Sequence, residues 1–488
     1  MVRIKLTSGG RKGVGTSSSP QPVLPTERGD EDVPAPTIVA RIKRILLIGC
    51  LILLGIVSPS AYSATNDTAD RAAEFVDLMA KGDFAAATTR YDSIMSQVLP
   101  EPKLRATWGT LQEQAGRFKQ RLQTRALKMG GLDVVLVTCE FESAKVDVKV
   151  ALNAKGEVSG LFFLPSTTGP EATGPPAYAN TNSFHERDFV VGSEEWRLPG
   201  TLTLPAGAGA KPSPALVLVH GSGPSDRDQT LGVLKPFRDL AWGLATKGIA
   251  VLRYEKRTKE YAGRFMGPDQ LKITVQEESI DDALSAVKQL RETEGIDPKR
   301  IFVLGLSLGG TLAPRIGHAD PKIAGLIIMA GATRPLEDLV VEQTRYLLSL
   351  KGEPSPAEQD QLRGLESAAA RIKKLTSADG SSSTNLLGAP AGYWLDLRAY
   401  NPVQEAKALK QPLLILQGGR DYQVTQTDFN QWKEALGTSP TVAFELYPQL
   451  NHLFVSGEGK STPQEYEKPG HVSGTVIADI ADWILTRH

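Results

Sequence analysis

Cysteine is almost absent from this chain: Cys50 and Cys139 are the two in 488 residues. That scarcity argues against a disulfide-stapled scaffold. An excess of one charge is lacking as well, because 55 Lys and Arg balance 55 Asp and Glu, and nothing in that total points to nucleic acid or an anionic surface. Long hydrophobic runs are missing too. The run from Ile45 to Val57 has 13 residues, where a membrane span needs about 20. No metal-ligand cluster, phosphate loop or basic stripe is visible, so no metal, no cofactor and no nucleic-acid partner is expected. What is present is ordinary for a globular protein, 41% hydrophobic and 23% charged residues. The length exceeds one typical core, and two folded domains are the natural expectation.

The amino-terminal region, residues 1–63, is expected to be an extension plus a signal peptide. Arg41, Lys43 and Arg44 precede the apolar run, and Ser58 to Ala64 supplies small residues, with Ala61 and Ser63 fitting a cleavage site. This layout predicts export across the cytoplasmic membrane. Retention as an anchor, or lipidation at Cys50 after Leu47-Ile48-Gly49, is the minority alternative, because apolar residues continue past Cys50. Residues 1–38 are polar and do not fit the layout: either translation begins at Val39 or the segment is a genuine tail. Cleavage after Ser63 leaves a net charge of −4 and Cys139 as the one remaining cysteine, which its apolar surroundings mark as a buried, inert thiol.

Residues 66–165 read as a small α+β domain. Ala73, Val76, Leu78 and Met79 stand near helical spacing, and Trp108, Leu111 and Phe118 mark another helix. The period then changes to two at Val146, Val148, Val150 and Leu152, with a partner strand from Val158 to Leu164. This unit resembles the small domain of unknown function, cystatin-like or nuclear-transport-factor-like, that precedes hydrolase domains in some secreted bacterial enzymes. No catalytic constellation is visible in it. Residues 166–183, with three prolines and two glycines, read as a linker. From 184 onward strand-like and helical segments alternate, which predicts an α/β architecture with a mostly parallel sheet covered by helices on both faces. Such sheets bind ligands at the carboxyl ends of their strands.

Three chemistry-bearing residues fall at such ends. Ser307 lies in Gly305-Leu306-Ser307-Leu308-Gly309, between an apolar strand (301–304) and the start of a helix, an elbow that exposes a hydroxyl. Asp421 follows the strand at 413–416, and His452 follows the strand ending at Tyr447. Of the six histidines, His185, His220 and His318 precede the acid, His471 is expected to begin the last helix, and His488 is terminal. His452 is therefore the candidate base, with Asp396 a distant rival to Asp421 as the acid. A serine hydroxyl is a poor nucleophile at neutral pH and needs a base to take its proton and an acid to orient that base.

HGSGPSDRD (220–228), RYEKRT (253–258), GLSLGG (305–310), LQGGRD (416–421) and NHLF (451–454) sit where the α/β-hydrolase superfamily places them. Residues 184–488 thus resemble its serine esterases and prolyl-oligopeptidase relatives. The resemblance implies a Ser307–Asp421–His452 triad and an oxyanion hole from the amides of Leu308 and Ser222, with Gly223 the lesser candidate. It also implies a cap inserted at about 336–405, in which Ala389 to Trp394 either line the substrate site or pack the cap. His220 reads as a brace for the oxyanion turn. Arg227-Asp228 and Tyr254 to Thr258 depart from common family patterns and read as solvated surface more than as pocket wall. The expected activity is hydrolysis of a small-molecule carboxylic ester through an acyl-enzyme. A peptidase is the first alternative, and a catalytically silent binding protein the second.

Overall fold

The computed structural model describes residues 66–129, 132–166, 174–208, 212–262, 264–266, 273–350, 352–382 and 384–487. The signal layout, Cys50, the reading of residues 1–38 and terminal His488 lie outside the described residues, as does the 167–173 part of the Pro/Gly-rich segment.

The amino-terminal domain opens with four helices: α1 (Asn66–Ala80), α2 (Phe84–Thr88), α3 (Ser93–Val98) and α4 (Glu101–Ala115). An antiparallel meander follows, β1 (Phe118–Met129), β2 (Leu132–Phe141), β3 (Lys145–Leu152) and β4 (Val158–Pro165), in spatial order β1-β2-β3-β4. Its core joins Phe75, Val76 and Met79 to alternate residues Val135, Val137 and Cys139 of β2, the period-2 face of a strand. Burial pushes the Cys139 thiol up to about 12, so it stays protonated and inert at neutral pH. Phe118 is not helical as its spacing with Trp108 and Leu111 suggested. It opens β1 and packs on Trp108 with ring centroids 6.1 Å apart, so a strand residue completes a helix-like apolar spacing.

In the carboxy-terminal domain the elements run β5 (Phe184–Val191), β6 (Leu198–Pro205), β7 (Ser213–Val219), α5 (Pro236–Thr246), β8 (Ala250–Tyr254), α6 (Arg257–Glu260), α7 (Asp281–Arg291), β9 (Ile296–Leu306), α8 (Leu308–Ala319) and β10 (Gly325–Met329). A one-turn π-helix, Gln276–Ile280, precedes α7. The excursion after β10 carries α9 (Leu336–Ser349), α10 (Pro356–Lys374), the short ribbon β11 (Asn385–Leu386) and β12 (Ala389–Pro390), then α11 (Ala391–Ala399) and α12 (Pro402–Ala408). The chain closes with β13 (Leu413–Gly418), α13 (Gln426–Leu436), β14 (Val442–Tyr447) and α14 (Gly474–Leu485).

The eight strands are ordered β14-β13-β10-β9-β7-β8-β6-β5. Neighbours from β14 to β8 are parallel, and β6 and β5 add antiparallel pairs at one edge. Successive residues point to opposite faces, so one sequence run builds two cores. Val217 and Val303 face α7, α8 and α13, whereas Leu216, Leu218, Phe302 and Leu304 face α5 and α14. Each fully buried Leu or Ile contributes about 1.5–3 kcal/mol. This is the mostly parallel, helix-covered sheet expected from the sequence.

The end of the proline-rich segment is packed against this domain. Tyr178 donates its hydroxyl to Val472 O at 2.8 Å and lies against Gly243 and Gly474, where larger residues would collide with it.

Candidate active site

The strand order reverses between β7 and β9, which run to opposite sides of the sheet in sequence, and a crevice opens beyond the carboxyl ends of such a pair. Ser307 follows β9 directly at φ 56°, ψ −118°, a left-handed conformation costing about 1–3 kcal/mol for a residue with a Cβ. The surroundings impose it. Its amide donates to Met329 O at 2.9 Å, and its carbonyl accepts from Thr311 N at 2.9 Å. Close approach explains the flanking glycines: a Cβ on Gly305 would fall 2.5 Å from Gly310 N, and one on Gly309 would fall 2.6 Å from His220 O. Leu308 is the first residue of α8, so its N–H has no intrahelical partner and lies at the positive end of the helix dipole.

The turn after β7 lies beside this elbow. A Cβ on Gly221 would sit 3.3 Å from Ser307 Cβ. Gly221 donates its amide to Gln229 Oε1 at 3.2 Å, and its carbonyl accepts from Lys256 Nζ at 2.7 Å. His220 is buried beneath, with Nε2 3.1 Å from Asp226 O and its ring against Phe237 and Tyr254. Burial, reinforced by the nearby Lys256 ammonium, pushes the imidazole down to about 3, so it is a neutral brace.

Asp421 and His452 meet from adjacent strands. His452 Nδ1 is 2.6 Å from Asp421 Oδ2, and both residues are buried. Asp421 Oδ1 accepts from Gln423 N at 2.7 Å and Val424 N at 3.0 Å, while Gln417 Nε2 donates to Oδ2 at 3.3 Å. With both oxygens occupied, the carboxylate has one orientation. The His452 loop is tied by Asn451, whose Oδ1 accepts from Leu453 N and Val455 N at 3.1 Å each and whose Nδ2 donates to Glu465. Sequence reasoning passed over Gln417 and Asn451, although each stands inside a motif it quoted.

Ser222, Ser307, Leu308 and His452 all line one cavity of about 1560 Å³. Among the described residues no hydrogen bond joins Ser307 Oγ to the His452 ring; such bonds commonly tighten when substrate binds. The excursion between β10 and β13 roofs the cavity with Leu336, Leu339, Ala389, Tyr393 and Trp394. Tyr393 and Trp394 therefore do both jobs considered for them, lining the cavity and packing, since Trp394 also donates to Leu386 O at 2.8 Å.

One rival is set aside here, and two expectations are corrected. Asp396 is committed to Arg315 at 2.8 Å and lies apart from His452 in the hydrogen-bond network. His471 precedes α14 instead of opening it and pairs with Asp239 at 3.0 Å. The charged segments read as solvated surface are mostly buried. Lys256 is 1% exposed, Arg227 pairs with Glu255 at 2.8 Å, Arg253 with Asp228, and Arg257 with Asp282 at 2.5 Å. Their partners, brought in by the fold, compensate the charges that burial would otherwise penalise.

Comparison with known proteins gives the family of the chain. A family model described as "Serine aminopeptidase, S33" matches residues 210–458, and one described as a protein of unknown function (DUF3887) matches residues 72–161. Esterase EstD of Thermotoga maritima is 39% identical over 411 residues, covering 84% of this chain and 94% of EstD. Similar solved structures include an esterase of Pyrococcus furiosus (17% identity, TM-score 0.39, covering 62% of this chain and 92% of that one). Another is the acylaminoacyl peptidase of Pyrococcus horikoshii (14% identity, TM-score 0.41, covering 76% of this chain and 56% of that one). With its sheet order, its elbow, the two family models and the EstD match, the chain belongs to the α/β-hydrolase superfamily, as a serine hydrolase of the S33 serine aminopeptidase family that carries an amino-terminal DUF3887 domain.

Proposed function

We propose that this protein is an exported esterase that hydrolyses carboxylic esters through an acyl-enzyme on Ser307. The observation that carries the reading is the 2.6 Å contact of Asp421 Oδ2 with Nδ1 of His452, which lines the same cavity as Ser307. His452 Nε2 takes the hydroxyl proton as Ser307 Oγ attacks the ester carbonyl, and Asp421 stabilises the imidazolium. The carbonyl oxygen becomes an oxyanion held by the Leu308 and Ser222 amides, donors each worth about 10²–10³ in rate. Collapse breaks the ester C–O bond, and His452 returns its proton to the departing alcohol. A water then repeats the sequence on the acyl-enzyme, releasing the acid and restoring Ser307. The name of the EstD relative supports an ester substrate.

A fluorophosphonate probe tests the nucleophile: wild-type protein labels and Ser307→Ala does not. Wild-type protein that neither labels nor cleaves short p-nitrophenyl esters sinks the proposal. The description of the matching family favours a second reading, an aminopeptidase. Rates on a panel of esters and aminoacyl amides separate the two, with ester kcat/KM expected to exceed amide kcat/KM. Export rests on the basic, apolar and small-residue layout of residues 41–64. Cell fractionation and amino-terminal sequencing of the mature protein, expected to start at Ala64, test it.

A further inference from the structure

Lys256 is among the most completely buried large side chains of the protein, and a buried ammonium is costly unless it is paired and hydrogen-bonded. Its ammonium donates to Gly221 O at 2.7 Å and pairs with Glu278 Oε1 at 3.0 Å. Glu278 is itself buried, and its other oxygen accepts from Tyr393 OH at 2.7 Å. Tyr393 belongs to α11 in the cavity roof. A continuous buried chain thus runs from the roof, Tyr393 to Glu278 to Lys256, and ends on the carbonyl of Gly221.

That carbonyl shares a peptide group with the N–H of Ser222. A trans peptide is planar, with C=O and N–H on opposite sides, so a grip on the oxygen fixes the direction of the N–H. A cation on the oxygen also draws electron density along the amide and strengthens its N–H as a donor, the polarisation seen along chains of hydrogen bonds. We propose that Lys256 is a positioning residue that aims and polarises the Gly221–Ser222 peptide as an oxyanion donor, and that Glu278 and Tyr393 hold it in place from the cavity roof. This rests on the esterase reading above. The effect is specific to the transition state, since the ester carbonyl carries little charge before attack, and a loss should therefore fall on kcat and leave KM.

The test compares purified wild-type protein with Lys256→Met, Lys256→Met/Glu278→Gln and Tyr393→Phe. Each is assayed for p-nitrophenyl ester kinetics and for inhibition by a phenylboronic acid, which forms a tetrahedral adduct with a serine nucleophile. Lys256→Met and the double variant are expected to lose on the order of 10- to 100-fold in kcat, below the cost of deleting a donor outright. Boronate affinity should fall by a similar factor, and KM should stay within about twofold. Tyr393→Phe, which removes a single oxygen and keeps the ring, should lose a few-fold in kcat and in boronate affinity together. The double variant contains no unpaired buried charge. If it regains wild-type kcat, Lys256 merely neutralises Glu278 and the inference is overturned. A loss confined to KM, or an unchanged boronate affinity, overturns it as well. Should the Lys256 variants fail to accumulate, Tyr393→Phe decides alone, and wild-type kcat and boronate affinity in it reject the chain. Wild-type protein without esterase activity instead removes the reading beneath, a result distinguishable from all of these.

Discussion

At the serine elbow after β9 the geometry is set by backbone, and on the β13–β14 side of the cavity by side chains. At the serine elbow the key positions are occupied by the absence of a side chain, because Gly305 and Gly309 face main-chain atoms at distances no Cβ tolerates. Across the cavity, glycines 418 and 419 also permit a close approach, but Asp421 and His452 are aimed by Gln417, Asn451 and the amides of residues 423 and 424. One side therefore fails when atoms are added, and the other when hydrogen-bonding atoms are removed. Backbone positioning spends no rotamer entropy and tolerates almost no substitution. Side-chain positioning can be weakened in steps.

Four variants press on that contrast. Gly309→Ala is expected to have the largest effect: the added methyl meets main-chain oxygens, costing more than about 4 kcal/mol. Fluorophosphonate labelling should vanish with a fall in soluble yield, and a normally labelling Gly309→Ala would break the comparison. Asp421→Asn should fold normally and lower kcat by about 10⁴-fold, because the wrong imidazole tautomer is then held; steady-state kinetics beside an unchanged melting curve check it. Asn451→Ala frees the loop that carries His452 without touching the ring, and kcat should drop by about 10- to 100-fold. The smallest effect concerns His220. Its folded pKa is depressed to about 3 from 6.5, so as pH falls the unfolded chain takes the proton first. Stability from this group is complete above about pH 6.5 and is lost toward pH 3, at up to about 1.4 kcal/mol per pH unit. Denaturant midpoints of His220→Asn measured from pH 7 to pH 4 should show a shallower slope than wild type.

Much of the catalytic domain is legible in the sequence because the central strands are short apolar runs closed by turns, and the chemistry-bearing residues sit in turns after strands. Ser307, Asp421 and His452 are readable for that reason. The sign that failed was charge. Lys256, Arg257 and Arg227 look like surface, since the partners that let them be buried, Glu278, Asp282 and Glu255, lie 22, 25 and 28 residues away and leave no local pattern. Strand β1 escaped for a related reason. It pairs on one side alone, with β2, and its Lys, Arg and Gln residues suit an edge but erase the apolar alternation that announces a strand. His471 was misplaced because its partner Asp239 is 232 positions away.

The 83 residues between Met329 and Leu413 leave the sheet and return to it between two strands that are themselves neighbours, paired in register from Leu326–Leu413 to Met329–Leu416. The sheet is closed whether the excursion is long or short. In evolutionary terms the roof is a replaceable module, entering and leaving through one seam, while the hydrolytic machinery lies almost wholly outside it. Lineages that keep the sheet can therefore trade roofs and acquire new substrates by recombination. The Tyr393–Glu278 contact is then the clause such a trade must honour, since a foreign roof without an equivalent hydroxyl inherits the chemistry at reduced speed.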